Sequence, residues 1–293
     1  MDTSTGPQVV AGPALVRAIL DEPGYTMPDP GSGATPRTMH WLRQNVARFS
    51  NGADHARRRE LAESLLRSLD PARLRAAARD QASAVIDEAG RRPFDVMARV
   101  ARRVPGLVLA AALGSADPEL LIGHLAPVAA LYQPGPADPR AADGSVAGLA
   151  DLLPGGPDEQ VAARIGLLIQ AYDATAGLIG NAVVAGIRAG RLGPAAELVS
   201  QALRADPPVR FTRRVTPSGQ TITLDLTVAG DDPAGHLAFG YGPRICPGAG
   251  HAMALAEGAV HPLLTRCRWT GAAIGYPEPS ALRAPERLEL AER

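Results

Sequence analysis

Apolar residues recur three and four positions apart through most of the chain, the pattern of helices that each bury one face. The pattern comes in blocks divided by Pro, Gly and Asp, so residues 40–49, 54–69, 71–89, 93–113 and 118–132 are each expected to be helical. Residues 9–20 are short and apolar and close on Glu22, Pro23 and Gly24, which reads as a strand or turn entering a helix. Residues 28–36 carry loop chemistry, and residues 133–157 read as a flexible lid or a short helix between two loops. Pro157 and Asp158 then offer a cap for a helix reaching about Gly190. At 1.5 Å per residue such a helix is about 45 Å long and crosses a whole domain. A further helix over 194–205 ends at Asp206, Pro207 and Pro208. Around Ser218 and Gly219 the period changes to two, predicting a hairpin over 210–228. A glycine-rich stretch over 235–250, a last helix at about 249–264 and a β-like tail complete the chain. With no internal repeat and no second core, the expectation is a single domain over residues 1–293, mainly α with small β-sheets.

Composition narrows the function classes. A chain of 293 residues can bury a substantial core without disulfide staples. Thirty basic and thirty acidic residues cancel, which leaves no nucleic-acid footprint and no electrostatic membrane anchor. Abundant Ala, Leu, Arg and Gly favours helices and fits a high-GC bacterial source. Two cysteines, Cys246 and Cys267, are too few for a disulfide framework and fit a reducing cytoplasm. Residues 1–8 lack the apolar core of a secretory signal. The most apolar stretch, 163–189, is interrupted by Arg164, Gln170, Asp173 and Asn181 and reads as a buried helix rather than a membrane span. The expected setting is therefore cytoplasmic, with no membrane and no nucleic acid.

The candidate chemistry lies between His236 and Gly250. Phe239, Gly240, Gly242, Arg244, Cys246 and Gly248 follow one another in that order, directly before a helix. A thiolate that ligates haem iron must be ionised, shielded and held still by backbone N–H groups and a helix N-terminus. Glycines let the backbone come close to the porphyrin, an aromatic ring covers the sulfur side, and a cation pairs with a propionate. A structural cysteine in a glycine-rich turn would need only the turn, and Cys267, which lacks such surroundings, reads as inert packing.

This arrangement resembles the cysteine-ligand loop of the cytochrome P-450 family, and all six signature positions match. The resemblance implies a P-450-like fold, haem b as cofactor and Cys246 as the axial iron ligand, with Phe239, Gly240, Arg244 and Gly248 around the haem. It extends to His55 and Arg59, four residues apart on one helical face, and to Arg213 and His236, all expected to bind propionates. The alternative for Arg57, Arg58 and Arg59 is a solvated basic face. The long helix resembles the distal helix of the family, where an acid followed directly by Thr relays protons. Here Asp173 is taken as the acid and is followed by Ala174. Thr175 is one step further on, turned by about 100°. Asp173 and Thr175 are the candidate catalytic residues.

Other positions depart from the family. Gln201 stands where a Glu would pair with Arg204, so Arg204 must find another partner or become solvated. The stretch before His236 and the start of the chain are shorter than the family pattern, so the expected fold is truncated at both places. The resemblance implies an oxidoreductase of the haem-thiolate monooxygenase type acting on a small or medium apolar metabolite. It would take electrons from a separate ferredoxin or flavoprotein reductase, in bacterial specialised metabolism. Two alternatives stand beside it: peroxide-dependent or non-oxygenating haem chemistry such as coupling, dehydration or rearrangement, and a haem-free scaffold for another biosynthetic enzyme.

Overall fold

The computed structural model describes residues 8–133, 137–190, 193–228, 235–277 and 281–293. Its helices are α1 (Pro13–Asp21), α2 (Met39–Asn45), α3 (Gly52–Arg67), α4 (Pro71–Ala89), α5 (Val104–Ala112), α6 (Pro118–Ile122), α7 (Leu125–Tyr132), α8 (Asp143–Leu152), α9 (Asp158–Arg188), α10 (Ala195–Ala205) and α11 (Ala249–Arg266). Six short strands make two small sheets. In the first, β1 (Val9–Val10) runs parallel to β4 (Thr221–Asp225), which pairs antiparallel with β3 (Phe211–Val215). In the second, β6 (Glu289–Glu292) lies between β2 (Phe94–Asp95) and β5 (Cys267–Trp269), antiparallel to both. The protein is thus mainly helical with small sheets.

Local chemistry accounts for most boundaries. Asp70 accepts from the Ala72 N–H and Pro71 fills the first turn of α4, so this helix spans the residues its pattern predicts. Thr38 caps α2 by accepting from the Trp41 N–H at 3.2 Å. Asp143, at the start of α8, accepts the Met39 N–H at 2.8 Å and ties α8 to α2. The 31-residue α9 carries no side-chain cap at Pro157. Asp158 instead accepts the Trp41 indole N–H at 3.0 Å. By length and composition α9 could cross a membrane, yet 67% of its most apolar window is buried against the rest of the protein.

Three expectations need correction. Residues 93–113 are not one helix. Asp95 accepts the N–H groups of Met97 (3.0 Å) and Leu288 (3.1 Å), which pins β2 to the C-terminal sheet. A π-helical turn over Met97–Ala101 follows, and α5 begins anew at Val104 because Pro105 has no N–H to continue a helix. Residues 118–132 split at Gly123 into α6 and α7. Residues 40–49 break at Val46, which is extended, before a 3₁₀ turn over Ala47–Phe49. In the 133–157 stretch the helix is realised as α8, while residues 134–136 lie outside the described residues, as do residues 229–234 before the cysteine loop.

The tightest helix crossing in the core is that of α11 on α4. Ala78, Ala82 and Ile86 form the α4 face, and Gly258 meets it so closely that a Cβ there would lie 2.2 Å from the Arg75 carbonyl oxygen. Gly258→Ala forces backbone against backbone and is expected to destabilise the chain by about 2–3 kcal/mol in urea unfolding. A change below about 0.5 kcal/mol would show that the crossing relaxes freely.

Candidate functional site

The cysteine loop is a closed turn. The Cys246 N–H donates to the Phe239 carbonyl at 2.8 Å and the Gly240 N–H to Leu237 at 2.8 Å. Gly240 and Gly242 take positive φ values of 78° and 65°. At Gly242 a Cβ would lie 2.7 Å from Asp21 Oδ1, so this glycine lets the loop press on the end of α1. Gly248 stands at the start of α11, and its N–H donates to the Cys246 sulfur. Burial pushes the Cys246 thiol above its ordinary range, opposed by that N–H and by the charges of Arg59 and Arg48. Cys267, buried at the start of β5, has its thiol pushed up to about 11, chiefly by burial.

Cys246 opens onto a cavity of about 290 Å³ between α9, α3, β3 and the cysteine loop. Leu109, Leu167, Ala171, Leu178 and Val209 give it an apolar wall. His55, Arg59, Thr175, Phe239, Gly240, Arg244 and Gly248 also line it, so eight of the expected residues, Cys246 included, converge on one space. Arg59 bridges α3 to the loop: Nε donates to Glu63 (2.6 Å) and Nη1 to the Ile245 carbonyl (2.7 Å). Arg244 donates to the Ser50 carbonyl (2.6 Å) and to Asn51 Oδ1 (3.0 Å). Arg57 and Arg58 instead pair with Glu159, Arg57 on the solvated face and Arg58 largely buried, with its Nη1 donating to Ser50 Oγ at 2.5 Å.

Three expected residues are placed otherwise. Arg213 and Arg214 are neighbours in β3, so their side chains leave opposite faces of the sheet. Arg214 pairs in register with Ile222, is only 5% exposed and lines the cavity, whereas Arg213 is exposed. The cation on this strand is Arg214. Its Nη1 donates to the Arg213 carbonyl (2.8 Å) and Thr212 Oγ1 (3.2 Å). Burial first, then the charges of Arg244 and Arg48, lower Arg214 to about 10. His236 does not line the cavity, and its Nδ1 accepts the Ala238 N–H at 3.3 Å.

Asp173 and Thr175 are 200° apart around α9, so one helix cannot turn both into the same space. The cavity face is Ala171, Ala174, Thr175 and Leu178. Thr175 is 1% exposed and its Oγ1 has no hydrogen-bond partner among the described residues. Asp173 lies outside the lining, half-buried, its carboxyl raised by burial and opposed by the charge of Arg102. The residue directly before the inward Thr is therefore Ala174, and the acid stands one position earlier on another face.

Among the lining residues that escaped the sequence reading are Arg48, Gln170, Arg214 and His251. The Gln170 amide donates to the Gly166 carbonyl at 2.9 Å. His251 Nε2 lies 3.0 Å from the Leu66 carbonyl in the last turn of α3 and 3.1 Å from the Leu69 carbonyl just beyond it, leaving Nδ1 buried without a partner among the described residues. Arg204 is exposed and donates to Ser200 Oγ at 2.6 Å, beside an exposed Gln201, so it resolves by solvation.

The donor set fits a haem. Among the described residues no three His, Cys, Asp or Glu side chains are placed to hold a bare ion. A metal at Cys246 would have to bring most of its own ligands, as a porphyrin does. Arg48, Arg214 and Arg244 contact no carboxylate among the described residues, and the two propionates of a haem would answer two of them.

Without that edge, His55 is a liability in acid. Burial first, then Arg244, Arg59 and Arg214, hold its imidazole down to about 4, against about 6.5 unfolded. Between those values the unfolded chain binds more protons, so stability present above pH 6.5 is lost as the pH falls through about 4. Half-exposure screens the effect to roughly 1 kcal/mol. The haem-free chain is expected to lose that much more stability than His55→Gln between pH 7 and pH 4.5, read by urea unfolding. Parallel losses in the two proteins would count against the placement.

No family model and no curated protein matches the sequence. Solved structures do match. The chain is similar to P450BioI in complex with an acyl carrier protein ligated with hexadec-9Z-enoic acid, at 20% identity and a TM-score of 0.80, over 97% of this chain and 92% of that one. It is similar to CalO2 at 18% identity and a TM-score of 0.83, over 97% and 90%. It is also similar to a thermophilic cytochrome P450 from Sulfolobus tokodaii at 18% identity and a TM-score of 0.75, over 99% and 95%. The fold is that of the cytochromes P450, and this chain builds it from 293 residues.

Proposed function

We propose that the chain is a haem-thiolate oxidoreductase that oxidises a small or medium apolar metabolite. The observation that carries this reading is the convergence of Cys246 and three carboxylate-free arginines on a cavity with a largely apolar wall. Cys246 would hold the iron, with Gly248 N–H donating to its sulfur and Phe239 beside it. Arg214 and Arg244 would hold the propionates, with His55 and Arg59 next to them. Bound haem supplies one- and two-electron redox chemistry at the iron, tuned by the thiolate.

The residues then divide the remaining tasks. Leu109, Leu167, Ala171, Leu178 and Val209 exclude water and hold an apolar substrate. Thr175 Oγ1, buried and unpartnered among the described residues, is placed to hold a proton or a water inside the cavity. Asp173 reaches that hydroxyl only through an intermediary, because it leaves α9 from another face. Electrons come from a separate ferredoxin or flavoprotein, and the setting is bacterial specialised metabolism in the cytoplasm.

A second reading has a specific observation behind it. Ala174 puts no carboxyl directly before Thr175, which favours peroxide-dependent or non-oxygenating haem chemistry. The deciding experiment is the optical spectrum of protein loaded with haem, resting and then reduced under carbon monoxide. A strongly red-shifted Soret band is expected. Protein that takes up no haem would leave the scaffold reading in its place.

A further inference from the structure

We propose that Arg48 is the recognition point for a carboxylate on the substrate, so that the substrate is an apolar acid rather than a neutral hydrocarbon. This rests on the haem reading and deepens it. Five cationic side chains line the cavity: Arg48, His55, Arg59, Arg214 and Arg244. Arg59 is answered by Glu63 at 2.6 Å. His55 is held neutral at pH 7. Arg48, Arg214 and Arg244 therefore bring three positive charges, each contacted among the described residues only by neutral acceptors.

A haem cancels two of the three. Its propionates carry two negative charges, while the single positive charge of a ferric porphyrin core is cancelled by the Cys246 thiolate. One guanidinium is left over, and leaving it desolvated and unpaired is costly.

Position selects Arg48 as the one left over. Arg214, Arg244 and Arg59 all act on His55, whereas Arg48 acts on Arg214 and on Cys246 but not on His55. Arg48 sits instead on the 3₁₀ turn after α2, beside Ala47 in the cavity wall. The Gln133 amide oxygen accepts from its Nη2 (2.7 Å) and Nε (3.1 Å), which braces the guanidinium and leaves Nη1 without an acceptor among the described residues. Burial lowers the Arg48 pKa, opposed by Tyr132 and Cys246, as expected for a charge held among protein atoms. Leu109, Leu167, Ala171, Leu178 and Val209 make much of the remaining wall apolar, so the occupant that satisfies both features is an acid with an apolar body.

The test titrates haem-loaded protein by calorimetry with straight-chain acids from hexanoate to dodecanoate, each beside the alcohol and the amine of equal length. Haem uptake is followed separately by Soret absorbance. The acid is expected to bind at least about tenfold more tightly than its alcohol. Arg48→Gln should erase that preference while leaving alcohol binding and haem uptake as they were, and Arg48→Lys should restore part of it. Equal binding of acid and alcohol at every length overturns the proposal, as does a preference that survives Arg48→Gln. Loss of haem uptake in Arg48→Gln overturns it differently, by making Arg48 a propionate partner. If the unaltered chain takes up no haem, the haem reading is what has failed, and the charge count falls with it.

Discussion

Replacing Cys246 with Ser removes the thiolate signature and is expected to lower haem-dependent oxidation by at least about a thousandfold. The substitution exchanges one atom and leaves the loop its fasteners. The residue 246 N–H still donates to Phe239, Gly240 and Gly242 keep their positive φ, and Arg59 still holds the Ile245 carbonyl. The haem-free protein should therefore unfold within about 0.5 kcal/mol of the parent. What changes is the ligand, because a Ser hydroxyl is far less acidic than a thiol and offers the iron a hard oxygen in place of a soft sulfur. Loaded Cys246→Ser protein, reduced under carbon monoxide, should lose the red-shifted Soret band. A variant that keeps both band and activity would move the metal ligand elsewhere and remove the basis of the assignment.

Arg214→Leu should act in opposite directions on the empty and the loaded protein. Arg214 is buried, pushed down to about 10, and faces Arg48 and Arg244 rather than any carboxylate among the described residues. Removing that charge relieves repulsion and desolvation, so the haem-free chain is expected to gain about 1–2 kcal/mol in urea unfolding. A haem would lose a charge-assisted partner for a propionate, and its affinity should fall by about ten- to a hundredfold. A structural arginine would give the reverse first result, with stability lost on substitution. Arg213→Leu, on the opposite face of β3, is the control and should leave haem affinity within about twofold.

The contrast between those two arginines shows where the sequence is legible. The cysteine loop can be read because its six positions are contiguous and each has a local chemical reason. Helix α4, the β3–β4 hairpin and the span of α9 are legible likewise, since caps, turn residues and periodicity lie within the segments themselves. Arg213 was taken for Arg214 because the strand pattern fixes alternation but not parity. Parity comes from the pairing of Arg214 with Ile222 and from which sheet face meets the cavity. Asp173 was misplaced in the same way while Thr175 faces the cavity, since a helix period fixes relative angles and packing alone sets the absolute rotation. The break inside 93–113 depends on Asp95 meeting Leu288, almost two hundred residues away. Arg48, Gln170 and His251 carry no local signal, as each matters only through what folding places opposite it.

His251 has a consequence for how the site meets its cofactor. Its ring grips carbonyls at and just beyond the end of α3, the helix whose other end carries His55 and Arg59, and it follows Cys246 by five residues. Sulfur and cations are thereby set at a fixed separation by one rigid bracket, spanned at its far end by Arg59. The half of the cavity that grips a cofactor is preorganised, and little ordering entropy remains to be lost when the cofactor arrives. Loading should then be limited by the width of the access route rather than by any folding of the walls.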